Sequence, residues 1–134
     1  MGLTETVFRV RYAETDQMGV AYYANYFVWM ELGRVEYCRA IGIRYRDMEE
    51  QDNVLLAVVD AQCRYRRPAR YDDEVTIRTS IGAASRRGVE FRYEMFVCGE
   101  AIASGHTRHI FLNRDFRPTS LPEKYHAAFG IETH

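Results

Sequence analysis

The segment from Tyr12 to Phe27 has the sequence YAETDQMGVAYYANYF and joins two different hydrophobic periods. Residues 7–13, where it starts, alternate between apolar and basic side chains, and this period of two predicts a half-buried strand. Beyond its end, apolar residues recur at helical spacing. The turn between them carries the carboxylate of Asp16. The segment therefore predicts strand, turn and helix, with Asp16 just ahead of the positive end of the helix dipole.

The predicted helix covers residues 25–41. Its apolar stripe consists of Tyr26, Met30, Gly33, Tyr37 and Ile41. Asn25 is the expected N-cap, although the helix could begin a turn earlier, and Gly42 is the expected C-terminal stop. A mid-helix glycine costs about 1 kcal/mol relative to alanine, so Gly33 predicts a close approach of the helix to a sheet.

The second half of the chain is dominated by period-two patterns. We expect residues 43–52 to form a short helix or an ordered loop. Strands joined by hairpin turns are predicted at residues 55–67, 75–81, 89–97 and 101–112, and a short terminal helix is predicted at residues 121–128. The first of these strands is expected to alternate without interruption. This order predicts an α+β fold, a mostly antiparallel sheet wrapped around one long helix, in a single domain spanning residues 1–134.

Composition excludes several classes of protein. The net charge of -1 argues against nonspecific binding to nucleic acid. Three widely spaced cysteines, Cys38, Cys63 and Cys98, predict buried thiols in a reducing, cytoplasmic compartment. No apolar run approaches the length of a membrane span, and no signal-peptide core follows Met1.

Asp16 has two candidate roles. A loop aspartate most commonly forms an Asx-turn or caps a helix. Here the turn also contains Gly19 and leads into a helix, whose first N–H groups lack internal partners and can hold a developing oxyanion. A carboxylate beside them could attack a carbonyl carbon or deprotonate a water. The residues leave both roles open.

Other titratable residues are weaker candidates. Glu31 is expected to be solvated or ion-paired, and Glu14, beside the strand end, ranks low. His106 and His109 are three apart on a strand and point to opposite faces, so we expect no metal site from them. No nucleophile elbow, Walker loop or dinucleotide fingerprint is present. Arg86 and Arg87, in a predicted turn, form either a solvated rim or a phosphate site.

The region 11–42 resembles the hotdog-fold acyl-CoA thioesterases of the 4-hydroxybenzoyl-CoA and Tol-Pal-associated type. The resemblance rests on the spacing of Asp16, Gly19, Asn25 and Tyr26. A second match is the segment RPARYDD at residues 67–73. With the order of the elements, the resemblance covers nearly the whole chain and implies the hotdog fold.

The resemblance also implies roles for individual residues. Asp16 takes the place of the catalytic aspartate, as nucleophile or general base, and the backbone N–H of Tyr23 polarises the thioester carbonyl. Many members carry histidine at the position of Tyr23, so no imidazole enters the mechanism here. The implied substrate-binding residues are Gly19, Asn25, Tyr26, Met30, Arg86 and Arg87, the two arginines at the phosphates of coenzyme A.

The implied activity is hydrolysis of an acyl-CoA to a free acid and coenzyme A, with no cofactor beyond the coenzyme A of the substrate. Members form homodimers with sites at the subunit interface, often doubled to homotetramers. The alternatives are an acyl-ACP thioesterase, a non-catalytic acyl-CoA-binding module and a scaffold protein. A hydratase is disfavoured, because the helix start offers no histidine. The acyl preference, the carrier and the chemical role of Asp16 stay open.

Overall fold

The computed structural model describes residues 2–131. Its helices and strands are β1 Thr4–Arg9, α1 Asn25–Ala40, α2 Tyr45–Gln51, β2 Leu55–Tyr65, β3 Glu74–Ala84, β4 Gly88–Val97 and β5 Glu100–Leu112, with short 3-10 turns at Tyr12–Glu14 and Glu123–Tyr125. The five strands form one antiparallel sheet in the order β1-β3-β4-β5-β2. The sheet packs around α1, which confirms the predicted α+β hotdog architecture.

The core lies between α1 and the inner face of the sheet. Strands β3 and β4 alternate as predicted, and their inward side chains are buried. The buried apolar residues of these two strands are Val75, Ile77, Val89, Phe91, Tyr93 and Met95. They face the buried side of α1, where Trp29 and Tyr37 are among the largest enclosed side chains. The central strands are thus specified by a simple period of two.

Two glycines of the helix region have the roles that the sequence predicts. A Cβ on Gly33 would lie 2.5 Å from Oγ1 of Thr79 on β3, so only glycine allows this approach of helix to sheet. Gly42 has a φ of +86°, and its N–H donates to the carbonyl of Arg39 at 3.1 Å. The next N–H, of Ile43, donates to the carbonyl of Cys38 at 2.8 Å. These two bonds form a Schellman motif, which ends the helix.

Three predicted boundaries are wrong. The first strand ends at Arg9, and Tyr12, which is 77% exposed, begins a 3-10 turn. Asn25 is the first helical residue rather than the N-cap, because its side-chain amide donates to the carbonyl of Glu14 instead. Residues 121–128 contain only a single 3-10 turn, since the chain there bends to bury Leu121 and His126.

Strand β2 departs from the uninterrupted alternation that the sequence predicts. Its pairing with β5 shifts register between Val58 and Asp60, and this bulge leaves both Val58 and Val59 more than half exposed. The strand lies at one edge of the sheet and β1 at the other. None of the helices in the described part of the chain is both long and apolar enough to cross a membrane.

Candidate active site

The turn that carries Asp16 is closed by its own backbone. The N–H of Asp16 donates to the carbonyl of Val20 at 2.9 Å, and Gly19, with a φ of +79°, donates back to the carbonyl of Asp16 at 3.0 Å. One carboxylate oxygen of Asp16, Oδ1, accepts the N–H of Met18 at 2.8 Å. This is the Asx-turn considered above. The other oxygen, Oδ2, accepts no hydrogen bond from any residue between 2 and 131, so the Asx-turn leaves one oxygen free to react.

The backbone before α1 presents an unused donor. The carbonyl of Tyr22 accepts the N–H of Asn25 at 2.9 Å, and the carbonyl of Tyr23 accepts the hydroxyl of Tyr65 at 3.0 Å. The N–H of Tyr23 itself finds no acceptor among the described residues. Tyr23 lies in the turn just ahead of the first helical residue, so its N–H is placed like the unpaired donors at a helix start.

Asp16 and Tyr23 line the same pocket. Its volume is about 320 Å³, and its lining is mostly apolar. Tyr26 on α1 and Tyr65 at the end of β2 form part of its wall, and Arg66 and Arg67 follow directly on the chain. A residue with a carboxylate and a residue with an unpaired backbone donor among residues 2–131 thus line one small, mostly apolar pocket, a combination that suits attack on a carbonyl group.

The two tyrosines of the wall are neutral groups. Their rings meet edge to face with centroids 4.9 Å apart. Burial raises the pKa of Tyr26, and burial with the nearby Cys63 thiol raises the pKa of Tyr65 to about 12. The hydroxyl of Tyr26 accepts the N–H of Ala69 at 3.1 Å. Both side chains therefore shape and orient the site rather than exchange protons near neutral pH.

Glu14 is buried beside this site, although the sequence ranked it low. Its Oε1 accepts the backbone N–H of Arg11 at 2.8 Å, and its Oε2 accepts the indole N–H of Trp29 at 2.9 Å. Burial acts to raise the pKa of this carboxyl, but the hydrogen bonds from Arg11 and Trp29 outweigh it and leave the pKa below its usual value. Its isolated place in the sequence gave no signal of this, since the indole partner lies fifteen residues away.

The other predicted site residues are scattered. Gly19 and Asn25 build the turn and the helix start but do not line the pocket, whereas Tyr26 does. Met30 is fully buried in the core, where it packs against Gly105 of β5, so its predicted contact with substrate is not supported within one chain. Arg86 and Arg87 are exposed in the turn between β3 and β4 and do not line the pocket.

The histidines are arranged as predicted. His109 is buried on the inner face of β5, whereas His106 faces outward, 3.4 Å from a carboxylate oxygen of Asp60. Among residues 2–131, no group of three or more histidine, cysteine or acidic side chains is placed to hold a metal ion. Neither histidine lines the pocket that Asp16 and Tyr23 share.

Comparison with known proteins agrees with this fold. Residues 10–129 match the family model of the Thioesterase-like superfamily. A Bacillus subtilis protein with the name "Putative acyl-CoA thioesterase YneP" is 34% identical over 127 residues, which cover 93% of this chain and 91% of that protein. The crystal structure of a DHNA-CoA thioesterase from Staphylococcus aureus superposes with a TM-score of 0.92 at 34% identity, over 96% of this chain and 89% of that one.

A more distant structure has the same fold. That of 4-hydroxybenzoyl-CoA thioesterase has a TM-score of 0.87 at 19% identity, over 94% of this chain and 97% of that one. At 19% identity this comparison is evidence for a shared fold only. The family model covers the site and strands β2 to β5, from Val10 to Phe129, and leaves out only β1 among the strands of the described residues. The chain therefore belongs to the Thioesterase-like superfamily, with a hotdog fold.

Proposed function

We propose that this protein is an acyl-CoA thioesterase, which hydrolyses an acyl-CoA to the free acid and coenzyme A. The observation that carries the proposal is the shared pocket of Asp16 and Tyr23, in which one carboxylate oxygen and one backbone N–H have no hydrogen-bond partner in the described part of the chain. The names of two relatives at 34% identity, an acyl-CoA thioesterase and a DHNA-CoA thioesterase, support this substrate class.

In the proposed reaction the thioester carbonyl lies in the pocket with its oxygen at the N–H of Tyr23. This donor stabilises the oxyanion that forms when the carbonyl carbon is attacked. Asp16 either attacks the carbon itself, giving a mixed anhydride that water then hydrolyses, or removes a proton from the attacking water. In both routes the carbon–sulfur bond breaks and the thiolate of coenzyme A leaves. A thiol has a pKa of about 8.5, so the thiolate departs without strong help from an acid.

The decisive test is the Asp16→Asn variant, in an assay that measures thiol release from a panel of aliphatic and aromatic acyl-CoAs. We expect kcat to fall by about 10² to 10⁴, because the amide is neither a base nor a nucleophile, while the Kd for acyl-CoA stays nearly unchanged. Asp115→Asn is the matched control, since Asp115 lies in an exposed loop outside the pocket. An Asp16→Asn variant as active as the wild type would refute the proposal.

The same panel separates the alternatives. A wild-type protein that binds acyl-CoA without releasing thiol would be a binding module, and one that binds no acyl-CoA would be a scaffold. Parallel assays with acyl-ACP and acyl-CoA of the same acyl group identify the carrier by the larger kcat/KM.

We further propose that the site is completed in a homodimer or homotetramer. Edge strand β2 exposes Val58 and Val59, and the outer side of α1 exposes Val28, and such surfaces favour association with a second copy. Because Arg86 and Arg87 do not line the pocket of their own chain, binding of the coenzyme A phosphates there requires a nucleotide that extends over the surface or a second chain.

Analytical ultracentrifugation tests this assembly. Val59→Lys should shift the protein towards monomer and lower activity in parallel, with Asp115→Lys, in an exposed loop away from both edge strands, as control. A fully active wild-type monomer would contradict the proposal.

We also infer that the protein acts in the cytoplasm. Cys38, Cys63 and Cys98 are all free thiols, which is the state that a reducing compartment maintains. The expectation that all three are buried is wrong, because Cys98 is exposed in the turn between β4 and β5 and Cys63 is only partly buried. Cell fractionation with an antibody against the native protein tests this location.

A further inference from the structure

We propose that Glu14 is a positioning residue for this reaction, and that its buried carboxylate and its carbonyl together hold the Asp16 turn and the Tyr23 N–H in the geometry that attack requires. This inference rests on the proposed function. It concerns a residue that the mechanism above does not use and that does not line the pocket.

The carboxylate of Glu14 ties the turn to the helix. Its side chain is only 8% exposed, and within residues 2–131 its hydrogen-bond donors are Arg11 and Trp29. The indole of Trp29 is itself buried, one turn into α1. A buried, charged acceptor with well-aligned donors is costly to displace. The position of residue 14 relative to α1 is therefore set by its side chain.

The carbonyl of Glu14 sets the backbone of the oxyanion site. It accepts the N–H of Tyr22 and the side-chain amide of Asn25, both at 2.8 Å. The carbonyl of Tyr22 in turn accepts the N–H of Asn25 at 2.9 Å. Since a peptide bond is planar and trans, fixing the carbonyl of Tyr22 also fixes the direction of the N–H of Tyr23. Glu14 thus controls where the free donor points.

The same contacts reach Asp16, two residues further along the chain. Only Thr15, whose N–H and hydroxyl both donate to the carbonyl of Tyr12, lies between Glu14 and Asp16. On the far side of the turn, the N–H of Tyr22 donates to the carbonyl of Glu14, so residue 14 contacts the chain that leaves the turn as well as the chain that enters it. The carboxylate of Glu14 has its oxygens occupied by donors from Arg11 and Trp29, so it has no free oxygen for the substrate. It acts through Asp16 and Tyr23 and is not itself a catalytic residue.

The kinetic test compares Glu14→Gln and Trp29→Phe with the wild type. Trp29→Phe retains an aromatic ring in the core but lacks the N–H that Glu14 accepts. For the folded protein we expect kcat to fall by about tenfold to a hundredfold in each variant, with KM changed by less than about threefold, because small misplacements of reacting groups act on the chemical step. In the double variant the two losses should not multiply, since both break one contact.

Glu36→Gln is the matched control, because Glu36 lies on α1 and pairs with Arg39 away from the pocket. It should retain the wild-type kcat. If Glu14→Gln and Trp29→Phe fold and also retain the wild-type kcat, the inference is wrong. If Glu14→Gln does not fold, Trp29→Phe decides alone.

A second measurement does not depend on any substrate. The Tyr22 amide should exchange its hydrogen at least about tenfold faster in Glu14→Gln than in the wild type, while the amide of Phe91 in β4 stays unchanged. Unchanged exchange at Tyr22 would overturn the inference whatever the activity. If Tyr22 exchange accelerates but the wild type cleaves no acyl-CoA, the proposed function fails and the positional role of Glu14 stands.

Discussion

Protonation of His109 should make the stability of this protein fall in mild acid. The ring lies on the inner face of β5 with 2% of the residue exposed, and its Nε2 is 2.8 Å from Oγ1 of Thr107. Its Nδ1 is buried without a partner among residues 2–131. Burial, and then the positive charge of Arg34, lower the pKa of His109 from 6.5 to about 4. The folded protein therefore holds this ring in its neutral form.

The sign and size of the effect follow from this difference. The unfolded chain takes up the proton near pH 6.5, whereas the folded chain takes it up only near pH 4, so acid favours unfolding between these values. The free energy of unfolding is highest above pH 6.5 and falls by about 2.5 kcal/mol between pH 7.5 and 4.5. Each pH unit between the unfolded and folded pKa values of His109 contributes about 1.36 kcal/mol to this fall. Glu14 adds to the loss as the pH falls from the ordinary value of 4.5 towards its lower folded pKa, because the unfolded chain takes up this proton first.

Urea unfolding at several pH values measures this loss. Trp29 is the single tryptophan of the chain and is buried, so its fluorescence reports unfolding. The measurements are made at one protein concentration, because association would shift the midpoint. The free energy of unfolding of the His109→Gln variant should change much less between pH 6.5 and 4.5 than that of the wild type. The control variant His106→Gln should show the same change with pH as the wild type. A wild-type stability that stays constant over this range, or an equally steep His109→Gln, would show that the reasoning is wrong.

Three further substitutions test local features of the fold and the site. Gly33→Ala should destabilise by about 1 to 2 kcal/mol in urea unfolding, because the clash with Thr79 outweighs the helix propensity gained; an increase in stability would contradict the close approach. Gly42→Ala should cost about 1 to 2 kcal/mol, since its φ of +86° strains any side chain, and an unchanged Tm would count against the Schellman motif. Tyr65→Phe removes the hydroxyl that donates to the carbonyl of Tyr23. It should lower kcat by about threefold to tenfold with little change in Tm, and a wild-type kcat would show that this contact does not orient the site.

The turn at Asp16 shows which parts of the candidate site the local sequence pattern predicts. The change from period two to helical spacing places a strand before the turn and a helix after it, and both are present. The pattern of this segment could name Asp16, and the family resemblance that the segment carries could name Tyr23; the structure brings both to one pocket. Tyr65 and Glu14 were missed as partners of this pair because their contacts depend on how β2 and α1 lie against the turn.

The sequence by itself determined those features whose local pattern depends directly on backbone geometry. Alternation in β3 and β4 gave the buried face of the sheet, and Gly33 and Gly42 marked a close approach and a helix end, because period and glycine are local consequences of backbone geometry. Only the tertiary structure decided that Glu14 is buried under an indole and that Met30 belongs to the core. These depend on which distant surfaces meet when the sheet curves around α1, and no local period of the chain encodes that meeting.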